Sequence, residues 1–157
     1  MLRELQVTKD KPANSMYKAG EKEIKTGMAV VKNEATKTFE FASVETAADL
    51  FFVDKERVPR GFNAARGDMS DYDADFTTLE ENEFGKLIAY YAGERFAVDQ
   101  YVADGLEVDV RVAVGTDGKL KKADSAIDSK YVFKGFYDDN GHNLAVVEVS
   151  DTPAKNA

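Results

Sequence analysis

The chain has no cysteine, no tryptophan and a single histidine, and no apolar run in it approaches the length of a membrane span. Each shortage removes a class of protein. Without cysteine there are no disulfides, no thiolate nucleophile and no cysteine metal site, and the redox compartment stays open. A bilayer needs roughly 18–20 consecutive apolar residues, so no transmembrane helix is expected. Met1-Leu2-Arg3-Glu4-Leu5 carries an acid where a secretory signal would have its apolar core, so export by a cleaved signal peptide is not expected. Basic residues are outnumbered, and the net charge of −8 argues against non-specific binding to nucleic acid or anionic membranes. The lone His142 adjoins Asn140-Gly141, which makes it a turn residue. A catalytic histidine needs an orienting acid and a nucleophile, and no motif marks those partners. Serine-hydrolase elbows, phosphate-binding glycine loops, dinucleotide fingerprints and zinc helices are absent. Carboxylates are abundant, but abundance alone does not specify a glycosidase, and no tryptophan is available to line a sugar cleft. An enzyme therefore ranks behind binding and structural readings, and no cofactor or metal is expected.

What is present is hairpin grammar. At 157 residues and 43% hydrophobic content, the chain suits one domain with a real core. Leu106, Val108, Val110, Val112 and Val114 occupy alternate positions, with Glu107, Asp109, Arg111 and Ala113 between them. Alternation of this kind predicts a half-buried strand over 106–114, whose polar side is a candidate partner surface. Gly115-Thr116-Asp117-Gly118 then supplies a turn, with Lys119 to Ala123 pairing back. Further strands are predicted at Met28 to Val31, Thr36 to Ala42, Leu87 to Tyr91, Arg95 to Tyr101, Tyr131 to Tyr137 and Leu144 to Val149. Asn140-Gly141 joins the last two. Leu50-Phe51-Phe52-Val53 reads as a strand buried on both faces. Short strands at this spacing predict an all-β fold, a single small β-barrel or β-sandwich built of hairpins.

Charge divides the chain. Residues 1–37 hold eight basic and five acidic residues, residues 38–105 six and fifteen, and residues 106–157 seven and nine. Residues 1–26 are polar and lysine-rich, and read as an extended N-terminal arm, with a short pairing segment near Leu5-Gln6-Val7, before a β domain at 27–151 and a flexible tail at 152–157. The basic surplus is either solvated surface or an arm that docks on an acidic partner. A long acidic excursion fills 55–85, with seven acids and no base from Asp68 to Glu83. It is either a loop or carries a short helix through Met69, Tyr72, Phe76 and Leu79, capped by Ser70. Asp71, Asp73 and Asp75 start like a calcium loop, but Phe76 stands where its glycine belongs and Asn82 where its glutamate belongs, so an exposed acidic loop is the expected reading. Arg66-Gly67-Asp68 is read as a loop tip. Tyr90, Tyr91, Phe96, Tyr101, Tyr131, Phe133 and Phe136 lack a basic groove beside them, and are expected to pack the core and sheet faces.

Four segments carry a resemblance: Lys25-Thr26-Gly27-Met28-Ala29-Val30-Val31, Gly93-Glu94-Arg95-Phe96-Ala97-Val98-Asp99-Gln100-Tyr101, Gly105-Leu106-Glu107-Val108 and Val114-Gly115-Thr116-Asp117-Gly118-Lys119-Leu120. Together they resemble the small β-rich head decoration or auxiliary capsid proteins of tailed bacteriophages, over roughly residues 20–150. The excursion at 55–85 has no counterpart in that pattern. The resemblance implies a non-enzymatic virion protein on the capsid exterior, made in the host bacterial cytoplasm. Its partners would be the major capsid protein and further copies of itself. Lys9, Lys11, Lys18, Lys22 and Lys25 would then be the lattice-gripping residues. Two other classes are carried beside it: a tail or surface interaction module using the Arg66-Gly67-Asp68 loop, and an acidic inhibitor that mimics nucleic acid.

Overall fold

The computed structural model describes residues 1–8, 16–55 and 74–157, with the backbone alone for Ala74 and Asp75. Its longest element follows from the strongest turn signal. Asn140 and Gly141 have φ values of 54° and 88°, the pair of positive dihedrals that a tight two-residue hairpin turn requires. Asp138 Oδ1 accepts the Gly141 N–H at 2.6 Å and closes the turn. The turn joins β12 (Ser129–Asp139) to β13 (His142–Ala154), in register from Asp139↔His142 to Ser129↔Ala154. Register shifts at Ser129/Tyr131 and Phe133/Gly135 bend this hairpin, as bulges do.

Two sheets enclose the core. In the first, β1 (Leu2–Gln6), β9 (Arg95–Val98), β13 and β12 lie side by side in that order, all antiparallel. The second runs β2 (Lys18–Ala19), β5 (Thr38–Glu40), β4 (Ala29–Asn33), β6 (Phe51–Asp54) and β8 (Lys86–Ile88), with only β2 and β5 parallel. Between β2 and β4 lies β3 (Ile24–Lys25), which pairs with β7 (Thr78–Leu79). A ribbon of β10 (Val112–Val114) and β11 (Leu120–Lys122) completes the set. Strands predominate among the described residues, and the described helix α1 (Ala74–Thr77) is one turn, so the fold is all-β, with a sheet curled into a half-barrel.

The larger core lies between the sheets. Phe52 and Tyr90 meet Phe96, Tyr131, Phe133 and Val147 there. A second cluster covers the outer face of the five-stranded sheet, where Tyr17, Ile24 and Leu79 pack on Val30, Phe39 and Val53. Phe52 therefore faces one core and its neighbour Val53 the other, and the continuous apolar run is a strand buried on both faces, as expected.

The alternating run at 106–114 is corrected. Only Val112–Val114 form a strand. Asp109 has a φ of 70°, Leu106 N–H bonds Ala103 O at 3.2 Å and Val110 N–H bonds Glu107 O at 3.0 Å, so the first half is consumed by two turns. Val108 points to solvent at 63% exposure. The segment still docks: Asp109 N–H reaches Phe133 O at 2.8 Å and Phe133 N–H reaches Val110 O at 2.9 Å. Valine's preference for strands yields here to tertiary context.

Over residues 1–8 the extended N-terminal arm is also corrected. β1 pairs with β9 from Leu2↔Val98 onward, and Met1 is buried at 4% exposure. Its ammonium group donates to Thr26 O at 2.9 Å and to Asp99 Oδ1 at 2.6 Å. Gly27, at φ 91°, makes room for this, because a Cβ there would collide with the Met1 carbonyl. The tail is no loose end either. β13 runs to Ala154, and Asn156 caps Arg111: its Oδ1 accepts the Arg111 N–H at 2.8 Å, and its Nδ2 donates to Arg111 O at 2.9 Å and Ala123 O at 2.8 Å. An amide that imitates a peptide group continues the sheet past its last strand.

Candidate interaction surface

The lysines expected to grip a partner are placed differently from the way an arm would place them. Lys9 and Lys11 lie outside the described residues. Lys18 and Lys25 stand exposed on β2 and β3, with Lys22 exposed between them, all on chain fixed by strand pairing. Lys18 Nζ lies 5.2 Å from the centre of the Phe84 ring. Arg66-Gly67-Asp68, Asp71 and Asp73 fall outside the described residues, as does the Asp75 side chain. Of the expected helix, the structure describes the single turn Ala74–Thr77, with Phe76 and Leu79 buried. His142 opens β13 at the surface. Among the described residues no three metal-ligating side chains are grouped to hold an ion, and no helix is long and apolar enough to cross a membrane. Buried Glu94 joins its own turn to the segment after β1: it accepts Tyr91 N–H at 2.8 Å, Thr8 N–H at 3.1 Å and Thr8 Oγ1 at 3.0 Å.

The seven aromatics divide. Tyr90 stacks on Phe96 at 4.2 Å, and both lie in the core with Tyr131 and Phe133. Burial, with Glu4 beside it, raises the Tyr90 phenol far above its ordinary range, and burial does the same for Tyr131. Tyr91 is 57% exposed and Phe136 50%. Phe136 lies 5.5 Å from Tyr101 and 5.0 Å from Phe133, so an aromatic row runs from the core to the surface of β12, beside half-exposed Tyr137. The row is held, because Tyr101 donates its hydroxyl to Asn143 O at 3.2 Å. β12 is the outermost strand of its sheet, and the 109–111 segment covers it only as far as Phe133.

A second surface feature is an open cleft of about 610 Å³ between the end of β4 and the 42–51 segment. Val31, Lys32, Ala42, Val44, Ala48 and Phe51 are among its walls. It exists because Asp49, at φ 52°, turns the chain away from β4, so the β4–β6 ladder stops at Val30↔Phe51. Lys32 Nζ rests 4.1 Å from the Phe51 ring centre and 4.7 Å from that of Tyr17. Glu34 on the rim is engaged already: it accepts from Tyr17 Oη at 2.6 Å and Lys37 Nζ at 2.8 Å. The bonds from Lys37 and Tyr17 lower the Glu34 carboxyl, and the Glu34 bond raises Tyr17 and Lys37. From sequence, Lys32 reads as a turn residue and Tyr17 as part of an arm. The spacing Lys32, Glu34, Lys37 is the one trace of this network in the primary structure.

No family model, no curated protein and no solved structure matches the chain.

Proposed function

We propose that the chain is a non-enzymatic structural protein of a tailed-bacteriophage particle, binding the capsid lattice of the major capsid protein from outside and stabilising it. The class rests on the four segments whose sequence resembles decoration proteins. The observation that carries the binding role is the aromatic edge of β12, where Phe136 and Tyr137 face solvent on a scaffold fixed by Tyr101 and the core. Exposed aromatics on a rigid element are characteristic of protein-binding surfaces. A ligand that binds only the assembled lattice shifts the equilibrium towards that lattice, and many copies multiply a modest contact.

The test is co-sedimentation of the purified protein with expanded phage heads that lack it, followed by thermal disruption of the decorated heads. Saturable pelleting and a raised disruption temperature are expected. Phe136→Ser with Tyr137→Ser should abolish pelleting while leaving the far-ultraviolet circular dichroism unchanged. A protein that stays in the supernatant at saturating heads overturns the reading.

A further inference from the structure

The cleft beside β4 has the chemistry of an incomplete ladder. Antiparallel strands alternate hydrogen-bonded and non-bonded pairs. Phe39 gives its carbonyl to Gly20 N–H at 2.9 Å, towards β2, so the Lys32↔Phe39 pair within β4–β5 is a non-bonded one. The Lys32 N–H and C=O therefore point the other way, towards β6. There the rung after Val30↔Phe51 would join Lys32 to Asp49, and the left-handed turn at Asp49 removes it. Among the described residues, neither backbone group of Lys32 has a hydrogen-bond partner. Among the described residues its ammonium group makes no salt bridge; it lies over the two aromatic faces and interacts with the Glu34 charge only at longer range.

We propose that this cleft is a strand-addition site for an extended segment of another polypeptide that presents a carboxylate opposite Lys32. The backbone of the segment completes the missing rung with the Lys32 N–H and C=O, the mode by which peptides join sheet edges. Its side chains alternate, so a residue directly opposite Lys32 lies on the same face as the ammonium group, over Tyr17 and Phe51. Charge selects an acid at that position. The Lys32 ammonium forms no salt bridge among the described residues: Glu34 acts on it only through space, its oxygens being taken by Tyr17 and Lys37, and Asp49 lines the cleft without pairing with it. The flanking apolar walls at Val31, Ala42 and Val44, the last 67% exposed, suit aliphatic neighbours of that acid. The site rests on this geometry and does not depend on the partner being a capsid.

The test uses the full chain, labelled with nitrogen-15, and a capped heptapeptide of alternating threonine and valine with a central glutamate. Expected are shifts confined to residues 31–34 and 42–51, and slowed amide exchange at Lys32. A peptide with central lysine should bind about three- to fivefold more weakly, the scale of one cross-strand charge pair. Lys32→Gln, which breaks no hydrogen bond of the fold, should erase that difference. Ala48→Trp, on an exposed wall, should block both peptides. No shifts at millimolar peptide, or shifts elsewhere, overturn the site. Equal binding of the two peptides overturns the carboxylate. Protection of the Lys32 amide on concentrating the protein alone would assign the cleft to a second copy and overturn the partner. Failure to pellet with capsids while the heptapeptide binds would remove the virion reading and leave this one standing.

Discussion

At the scale of single residues, Asn156 does more than its place near the end of the chain suggests. Its amide satisfies both backbone groups of Arg111 and the carbonyl of Ala123. Asn156→Ala should cost about 1–3 kcal/mol, because the part-buried Arg111 N–H and Ala123 carbonyl lose this partner, and urea unfolding would measure it. A change within the error of the titration would mean that water replaces the amide. Tyr90 and Tyr131 give a second prediction. Both phenols are buried and shifted upward, so absorbance near 295 nm in an alkaline titration should show them ionising only as the protein unfolds, after the exposed tyrosines. Early ionisation of all seven tyrosines would contradict the packing of the Phe52, Tyr90, Phe96 and Tyr131 cluster.

At the scale of elements, β1 is the one to remove. Deleting residues 1–8 exposes the edge of β9 and takes Met1 out of its contact with Ala97 and Leu144. A loss of about 3 kcal/mol or more is expected from the apolar burial and the ladder together, read as a lower urea midpoint. An unchanged midpoint would return residues 1–8 to the status of an arm. Some of these elements are specified by local signals. The Asn140-Gly141 hairpin, the two-sided strand at 51–54 and the β9 strand are legible because their turn residues and apolar patterns carry the decision alone. β1 is legible only at its end: Leu5-Gln6-Val7 reads as a short pairing segment, but Leu2-Arg3-Glu4 lacks alternation and the partner strand lies about ninety residues away. The run at 106–114 misleads for the opposite reason, since its alternation is ideal and contacts with Phe133 override it. The cleft is illegible because it is made by an absence of pairing, which requires knowing what Phe39 and Phe51 bond instead.

At the scale of the molecule, buried titratable groups govern how stability depends on pH. Burial holds the Met1 ammonium group below its ordinary 8.0, with Asp99 opposing that shift. Below pH 8 the unfolded amine thus binds more protons than the folded one, and stability rises with pH up to about 8. Above about 10 the unfolded chain releases phenolic protons that folded Tyr90 and Tyr131 retain, so stability falls. Urea unfolding across the range should show a maximum between those limits, and chemical acetylation of the amine should flatten the lower limb. The pairing order has a consequence for biosynthesis as well. β9 lies between β1 and β13, two strands far apart in sequence. The first sheet cannot close while its C-terminal strand is still being translated, and contacts this distant in sequence form slowly. The chain through β13 must therefore leave the ribosome before β1 acquires a complete neighbourhood, and until then residues 1–8 are open to any chaperone or protease that meets the nascent chain.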